Sequence, residues 1–355
     1  MKKITLQFIV LVVVMASCMP DSKKSGQAAA QPSSLEADKQ LLKDAQSNFQ
    51  PLAATADNPE NPITPAKVEL GQVLYYDTRL SKTGNNSCNS CHNLATFGVD
   101  TLPTSKGDAG KFGTRNSPTV LNAAFHSIQF WDGRAKDVEE QAGMPILNPV
   151  EMAIPNQDFL VKKLKGIKEY QPLFSQAFPE DKNPVSYANI QKAIGAFERT
   201  LVTPTAFDRY LGGEMYALST PEREGLRAFM ETGCTSCHSG ANLGGTMLQK
   251  FGVFADYHSI ANFKTKDEGR KEVTKAEADK DMFKVPSLRN VGKTYPYFHD
   301  GSVRNLEEAV KIMAKLQLNK ELSDEKAKSI VEFLHSLTGE VPESAKQVPA
   351  ILKHS

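Results

Sequence analysis

The chain has 355 residues, which corresponds to about two domains at roughly 150 residues each. Hydrophobic residues make up 40% and charged residues 23%, which excludes a disordered or collagen-like chain. The net charge of +1 lacks the basic excess of a nucleic-acid-binding protein, so we expect no nucleic-acid partner. Only one apolar run approaches spanning length, which excludes a multi-span membrane protein.

The first 18 residues are typical of an export signal. Lys2 and Lys3 precede a nearly apolar stretch, and small residues come directly before Cys18. This arrangement resembles a bacterial lipobox. It predicts that residues 1–17 are removed as a signal peptide and that Cys18 is lipidated; a plain signal peptide or an uncleaved anchor is the alternative. Residues 18–50 are rich in Ser, Ala, Lys, Gln and Asp and predict a flexible, lipidated tether. We expect an exported protein on the periplasmic side, in contact with a membrane only through a lipid anchor.

The other four cysteines lie in two Cys-x-x-Cys-His motifs. In this signature the thiols bond to the vinyl groups of a haem, and the histidine ligates the iron. Three other sites remain compatible with two Cys-x-x-Cys pairs: a Cys₄ zinc site, disulfides, or a thioredoxin-like redox pair. None of them requires a histidine after both pairs, so the sequence predicts two covalently bound c-type haems. The residues involved are Cys88, Cys91 and His92, then Cys234, Cys237 and His238.

Other features of the chain also occur twice. Thr64-Pro65 and Thr220-Pro221 precede the two haem motifs, and each predicts a helix with the threonine as N-cap. Helical apolar spacing follows both, and no strand-like alternation is sustained. Further along, two segments match at equal offsets without a gap, and these are residues 118–133 and 286–301.

The repeats predict a mostly α-helical fold with two cytochrome-c-like haem domains related by internal duplication. We place an N-terminal haem domain at residues 51–205 and a C-terminal haem domain with a tail at residues 206–355. The boundary is expected near residues 203–211.

The two copies differ where an open haem face would need a sixth ligand. Met313 lies on a predicted helix of the second copy, whereas the matching residue in the first copy is Pro145. A core position is the common role of a helical methionine. As an axial ligand, Met313 would raise the potential of the second haem and leave the first haem open to a small substrate.

Three polar or aromatic residues of the first copy are further candidates. Trp131 is the one tryptophan of the chain and could fill the core or relay electrons between the haems. Gln141 and Glu151 could be solvated, or they could move protons at the open haem.

At this point the chain resembles the bacterial di-haem cytochrome c peroxidases, over residues 61–339. The resemblance is carried by the two haem motifs and by the stretches RNSPTVLNAAF, QFWDGRAKDVEEQA, PYFHDGSV and LEEAVKIM. It implies reduction of hydrogen peroxide to water with electrons from a small donor protein, a cytochrome c or a cupredoxin. The haem on His92 would be the peroxidatic centre, and the haem on His238 and Met313 the site of electron entry.

The resemblance also implies roles for other residues. Glu151 and Gln141 match the acid/base pair of the peroxide site, and Trp131 matches the inter-haem tryptophan. A calcium ion between the domains would take Asn116 and the backbone carbonyls of Thr294 and Pro296 as ligands, in keeping with the preference of calcium for oxygen. Family analogy further suggests a homodimer.

One position departs from the family pattern. Many members carry a loop histidine that caps the peroxidatic haem when the enzyme is oxidised and leaves on reduction of the other haem. Here the matching position is Asp108, and the loop contains no histidine. The nearby His126 is interpreted as structural. The sequence therefore predicts a peroxidatic haem that is open at rest.

Two alternative functions remain. The first is a di-haem electron carrier without peroxidase activity. The second is a related di-haem enzyme that modifies a partner protein, but that class places tyrosine where this chain has Met313.

Overall fold

The computed structural model describes residues 34–259, 263 and 266–353. The predicted signal segment and the lipidation site Cys18 lie outside these residues. Within the described part of the chain, no helix is long and apolar enough to cross a membrane.

The described residues are mostly α-helical, as predicted, with short connecting turns. The helices of the N-terminal half are α1 Ser34–Asn48, α2 Pro65–Tyr76, α3 Cys88–Cys91, α4 Val138–Leu147, α5 Gln157–Lys165, α6 Tyr170–Ala177 and α7 Tyr187–Glu198. Those of the C-terminal half are α8 Ala206–Leu211, α9 Thr220–Thr232, α10 Lys271–Thr274, α11 Leu306–Leu318, α12 Asp324–His335 and α13 Glu343–Lys346. Strands β1 Leu248–Lys250 and β2 Met282–Lys284 form one antiparallel pair, with Leu248 opposite Lys284.

The two helices that precede the haem motifs begin close to where the sequence predicts. Thr64 caps α2, and its side chain accepts a hydrogen bond from the backbone N–H of Lys67 at 3.3 Å. The second cap differs by one residue from the prediction, because α9 begins at Thr220 and its N-cap is Ser219. The backbone N–H of Ser219 donates to the carboxylate of Glu222 at 2.6 Å, which gives this helix a reciprocal capping box.

Each half is built around one closely packed pair of helices. In the N-terminal half, α2 crosses α7 at Gly71, where an added Cβ would lie 2.0 Å from the carbonyl oxygen of Ala193. In the C-terminal half, α9 crosses α12 at Gly225, where an added Cβ would lie 2.1 Å from the carbonyl oxygen of Ser329. Both pairs therefore need glycine for the backbones to approach.

The buried aromatic and aliphatic residues form a separate core in each half. In the C-terminal half, the ring of Phe333 lies 5.1 Å from that of Phe207 and 5.3 Å from that of Phe229. Such aromatic pairs add to the stabilisation from apolar burial. The N-terminal core includes Leu70, Leu74, Phe174, Ile190 and Ile194.

The N-terminal segment packs on the C-terminal half, which corrects one sequence expectation. Residues 18–50 were expected to be a flexible tether, yet residues 34–48 form α1. Its Leu41 and Ala45, together with Phe49, are buried in the C-terminal core. The i, i+4, i+8 spacing of these three residues gives the helix one apolar face within an otherwise polar sequence. The physical reason for the difference is therefore burial of that face.

The C-terminal segment makes the converse crossing. Val341 and Ala345 are buried beside Tyr75 and Phe197 of the N-terminal half. The hydroxyl of Tyr76 donates to the carbonyl oxygen of Ala345 at 2.8 Å. Each end of the described chain is thus held by the half to which it does not belong in sequence.

The hydroxyl of Thr203 joins the two halves in the interior. The side-chain amides of Asn122 and Asn290 both donate to this oxygen, at 2.8 and 2.9 Å. All three residues are at most 1% exposed. Both asparagines have a left-handed backbone, with φ of 59° and 61°, which asparagine tolerates better than most residues do. One buried hydroxyl thus satisfies an amide from each half.

Replacing Thr203 with valine tests this junction. Thr203→Val keeps the side-chain volume but leaves two buried amide donors without an acceptor, and each such donor costs about 1–3 kcal/mol. We expect the free energy of unfolding, measured by urea titration with circular dichroism, to fall by about 2–6 kcal/mol. The control is Thr200→Val, whose half-buried hydroxyl donates only to Phe197 O at 2.7 Å. Equal losses in the two variants would contradict the assigned role of Thr203.

Candidate active site

The first Cys-x-x-Cys-His motif forms the short helix α3 and the residue after it. The backbone N–H of His92 donates to Cys88 O at 2.9 Å, so the histidine follows directly on the helical turn. Its ring nitrogen Nδ1 lies 2.9 Å from the carbonyl oxygen of Pro118. Because a carbonyl can only accept, Nδ1 carries the proton and Nε2 keeps its lone pair for a metal. Burial lowers the pKa of His92, which favours the same neutral ring.

The second motif repeats this arrangement. The backbone N–H of His238 donates to Cys234 O at 3.0 Å, and Nδ1 of its ring lies 3.0 Å from Leu243 O. Burial again lowers the pKa of the imidazole. Both histidines therefore present an unprotonated Nε2, the form required of an axial iron ligand.

Two of the alternatives that the cysteines left open, a zinc cluster and disulfides, find no support in the described residues. The four cysteines Cys88, Cys91, Cys234 and Cys237 are free thiols. In the part of the chain that the structure describes, no group of three or more His, Cys, Asp or Glu side chains could hold a metal ion. The thiols do not form a zinc cluster, and each pair lies beside a cavity instead.

The second motif borders the smaller of two cavities, about 190 Å³ in volume. Cys234, Cys237 and His238 line it together with Met313 of α11. The remaining lining is largely aliphatic and aromatic. The structure thus brings the predicted axial methionine and histidine to the same cavity.

The first motif borders a cavity of about 580 Å³ with a more polar lining. Cys88, Cys91 and His92 line it, as do the predicted acid/base residues Gln141 and Glu151. Apolar clefts of several hundred Å³ are typical of cofactor sites. Free thiols, a correctly protonated histidine and this volume together fit a covalently bound haem with room for a small molecule.

Glu151 is held at this cavity by the residues around it. Its side-chain Oε1 accepts a hydrogen bond from the amide of Asn148 at 2.9 Å. Its carbonyl oxygen accepts from the backbone N–H of Asp108 at 2.7 Å. Burial raises the pKa of the Glu151 carboxyl, while the charge of Arg134 and the bond from Asn148 oppose that rise. A carboxyl with a raised pKa is suited to both accepting and returning a proton near neutral pH.

The carboxylate of Asp108 is engaged away from this cavity. It accepts hydrogen bonds from the hydroxyl of Ser81, from the hydroxyl and backbone N–H of Thr83, and from the backbone N–H of Asn85, at 2.8–3.2 Å. Burial alone would raise its pKa, but these bonds lower the pKa below its ordinary value. The side chain is thus tied, as a charged group, to the segment that precedes the first motif.

His126 is fixed beside the same cavity. Its ring packs on Gly245, where an added Cβ would lie 2.1 Å from the ring carbon Cδ2. Its Nδ1 lies 2.9 Å from the ammonium nitrogen of Lys284. The interpretation of His126 as a structural residue agrees with this packing.

Trp131 lies between the two cavities and lines both. Its indole N–H donates to the carbonyl oxygen of Asn116 at 2.9 Å, and its own carbonyl accepts from the backbone N–H of Lys284 at 2.7 Å. Trp131 is therefore held both at its indole ring and at its backbone. Its role as an electron relay stays a prediction.

Sequence reasoning missed Lys284. This lysine is 5% exposed and also lines both cavities. The available signal was its position: it stands within the apolar stretch MFKVP and corresponds to Asn116 when the two matching segments are aligned. A charged residue two positions before a repeated proline, in place of an amide in the first copy, marks a difference between the two halves.

Among the predicted calcium ligands, the side chain of Asn116 makes hydrogen bonds that fix its orientation. The amide nitrogen of Asn116 donates to Leu102 O at 2.9 Å and to Pro103 O at 3.3 Å, so Oδ1 is the atom of this side chain that a cation could use. Thr294 and Pro296 flank Tyr295, in the segment just before Phe298, and the Tyr295–Pro296 peptide is cis. Their role as ligands stays a prediction.

Known proteins resemble this chain over most of its length. A family profile described as di-haem cytochrome c peroxidase matches residues 65–216. The chain is 47% identical over 282 residues to the cytochrome c551 peroxidase of Pseudomonas aeruginosa, covering 79% of this chain and 81% of that protein. It is 45% identical over 295 residues to the cytochrome c551 peroxidase of Nitrosomonas europaea, covering 81% and 86%. The methylamine utilization protein MauG of Methylophilus methylotrophus is 36% identical over 301 residues, covering 79% and 84%.

Two solved structures share the fold. A MauG-like protein associated with microbial copper homeostasis superimposes with a TM-score of 0.72 at 27% identity, covering 84% of this chain and 97% of that chain. A dihaem peroxidase from Burkholderia thailandensis superimposes with a TM-score of 0.66 at 18% identity, covering 84% and 93%.

Proposed function

The chain belongs to the di-haem cytochrome c peroxidase family, and we propose on that basis that it reduces hydrogen peroxide to water with electrons from a small redox protein. Each turnover consumes two electrons and two protons and releases two water molecules. The observation that carries this proposal is the difference between the cavities. Glu151 and Gln141 line the one beside His92, whereas Met313 lines the one beside His238.

The two haem sites then have different tasks. Cys88, Cys91 and His92 would hold the haem that supplies electrons to peroxide, in the cavity that Glu151 and Gln141 line. Cys234, Cys237, His238 and Met313 would hold the other haem, and a methionine ligand would raise its potential, so that this haem would be the entry point for electrons. Trp131, which borders both cavities, is the bridge between them.

Glu151 is the residue that moves the proton. Its carboxylate accepts the proton of one peroxide oxygen and returns it to the other, so that the second oxygen leaves as water. Gln141 on α4 orients the peroxide through its amide. The hydrogen bond from the amide of Asn148 fixes the carboxyl for both transfers, and that from the backbone N–H of Asp108 fixes the Glu151 backbone.

Internal duplication accounts for the likeness of the two halves. Supporting it, residues at equal offsets share unusual backbone conformations: φ is 65° at Phe130 and 71° at Phe298, and 66° at Gly133 and 62° at Gly301. Isolated bridges also recur at equal offsets, between Gln129 and Ala135 and between Tyr297 and Val303.

Further assignments complete the proposal. The protein is exported and carries a lipid on Cys18. A calcium ion between the domains takes oxygen ligands from Asn116, Thr294 and Pro296. The electron donor is a small cytochrome c or cupredoxin, and the enzyme is a homodimer by analogy with its relatives.

Met313 argues against the alternative that modifies a partner protein, because that class has tyrosine at this position. The polar lining of the larger cavity argues against a pure electron carrier, since a carrier has no need of a carboxyl with a raised pKa beside an open haem.

The first test removes one haem. Cys88→Ala with Cys91→Ala should leave one haem per chain by pyridine haemochrome assay and abolish steady-state peroxide turnover. The matched variant is Cys234→Ala with Cys237→Ala, which should also leave one haem but retain the ferric cyanide complex of the first site. Turnover that survives loss of the first haem would show that the peroxidatic assignment is wrong.

The second test concerns Glu151. Glu151→Gln keeps the size of the side chain but cannot exchange a proton, so we expect kcat to fall by about 10²–10⁴-fold with both haems retained. In the parent enzyme kcat should fall as pH drops through the pKa of Glu151, above the ordinary value for glutamate, because only the carboxylate accepts a proton. Glu140→Gln on the same segment serves as the control. A loss below about threefold would remove Glu151 from the reaction.

The third test concerns the resting state. Because the Asp108 carboxylate is bonded to Ser81, Thr83 and Asn85 and the ring of His126 is packed on Gly245, neither is expected to ligate the first haem. The fully ferric protein should show one high-spin haem that binds cyanide without prior reduction. A purely low-spin spectrum, with peroxide reactivity that appears only after one-electron reduction, would contradict this.

A further inference from the structure

A buried lysine stands in the wall between the two haem cavities. Lys284 ends strand β2, and its backbone N–H donates to the carbonyl oxygen of Trp131 at 2.7 Å. Its side chain borders both cavities and is 5% exposed in total. Burying an ammonium group is unfavourable unless an anion or several hydrogen-bond acceptors compensate for the lost water.

The protein provides little compensation for this charge. Among the described residues, no carboxylate forms a salt bridge with Lys284. The one carboxylate that attracts it at longer range, Asp132, is paired instead with Arg115 and with Arg134, the latter at 2.7 Å. The side-chain ammonium group of Lys284 hydrogen-bonds to Nδ1 of His126, at 2.9 Å.

His126, the partner of the lysine side chain, lines the larger cavity. A protonated lysine can only donate, so Nδ1 of His126 accepts and the ring proton lies on Nε2. That nitrogen is buried and has no hydrogen-bond partner. The side chain of Gln129, whose amide nitrogen donates to Ala123 O at 2.9 Å, is the polar group beside the ring.

Lys284 and His126 thus form a buried pair that no carboxylate of the described residues contacts. An ammonium group and an imidazole N–H, both on residues that line one cavity, are suited to a carboxylate, which has two oxygens and a negative charge. The haem assigned to that cavity carries two propionate carboxylates. The inference rests on the proposed function to the extent that it requires a haem on His92.

We propose that Lys284 and His126 bind a propionate carboxylate of the haem on His92, and that the lysine charge raises the potential of that haem. Lys284 acts through the propionate and is therefore a positioning residue. In the absence of the carboxylate, burial lowers the pKa of Lys284 to about 7, and burial and the lysine charge lower the pKa of His126 well below its ordinary value. A bound carboxylate would restore the charged lysine.

The test measures the potential of each haem separately. Lys284→Met preserves the chain length and the backbone bond to Trp131 but removes the charge. A positive charge favours the ferrous form, so at a fixed ambient potential the ferrous-to-ferric ratio of the His92 haem should fall about tenfold, or about 59 mV for one electron. The ratio at the His238 haem should change less. Spectroelectrochemistry with electron paramagnetic resonance assigns the two haems.

Two further variants serve as comparisons. Lys250→Met removes a lysine from the paired strand β1 at an exposed position and should leave both ratios unchanged. His126→Phe keeps a planar ring but removes the donor; it should lower the ratio of the His92 haem by about threefold, and it decides the question if Lys284→Met does not accumulate with two haems.

Unchanged potentials in a two-haem Lys284→Met protein would overturn the proposal, as would a shift confined to the His238 haem. A parent protein that holds two haems but does not reduce peroxide would instead overturn the proposed function. The two failures are distinguishable because the potentials are read without turnover.

Discussion

The two halves of this molecule meet at one hydroxyl, that of Thr203, which accepts an amide hydrogen bond from Asn122 and another from Asn290. The asparagines stand at matching positions of the two halves, and the loop after Asn122 leads to Trp131, which borders both cavities. Because both amides are buried, the fold satisfies them only when the loops approach the same oxygen. The crossed ends of the chain, α1 on the C-terminal half and the last segment on the N-terminal half, hold the halves together from outside.

The two sites have similar backbone arrangements and differ in their side chains. Nδ1 of each histidine donates a hydrogen bond to a carbonyl oxygen, and each Cys-x-x-Cys pair lies beside its own cavity. The chemistry diverges at a few positions. The first half has Pro145 where the second has Met313, the axial ligand in our proposal, so the second site would gain a soft ligand where the first would keep space. That space is lined by Glu151, whose carboxyl has a raised pKa because it is buried. The duplication that we propose would thus have produced one conducting and one reactive site.

Much of the candidate site could be predicted from the sequence, because covalent haem attachment requires a fixed motif and the repeats locate the second copy. Gln141, Glu151 and Met313 do line the expected cavities. The helix α1 could not be predicted, since the few apolar residues of this polar segment do not indicate burial without the surface that covers them. Lys284 was missed for a related reason: a single lysine usually indicates solvent. Only the packing of β2 against Trp131 places it in the interior.

Trp131 borders both cavities and is bonded to both halves of the chain. The backbone carbonyl of Asn116 accepts a hydrogen bond from the indole N–H of Trp131. The backbone N–H of Lys284, which stands at the matching position in the second half, donates to the carbonyl oxygen of Trp131. The side chain that borders both cavities is thus held by one matched residue from each half. A neutral amide occupies one of these positions and an ammonium group the other, so the region between the haems has an uneven electrostatic potential. Under our proposal, the charge beside the tryptophan also sets how strongly the peroxidatic haem attracts the electron that arrives.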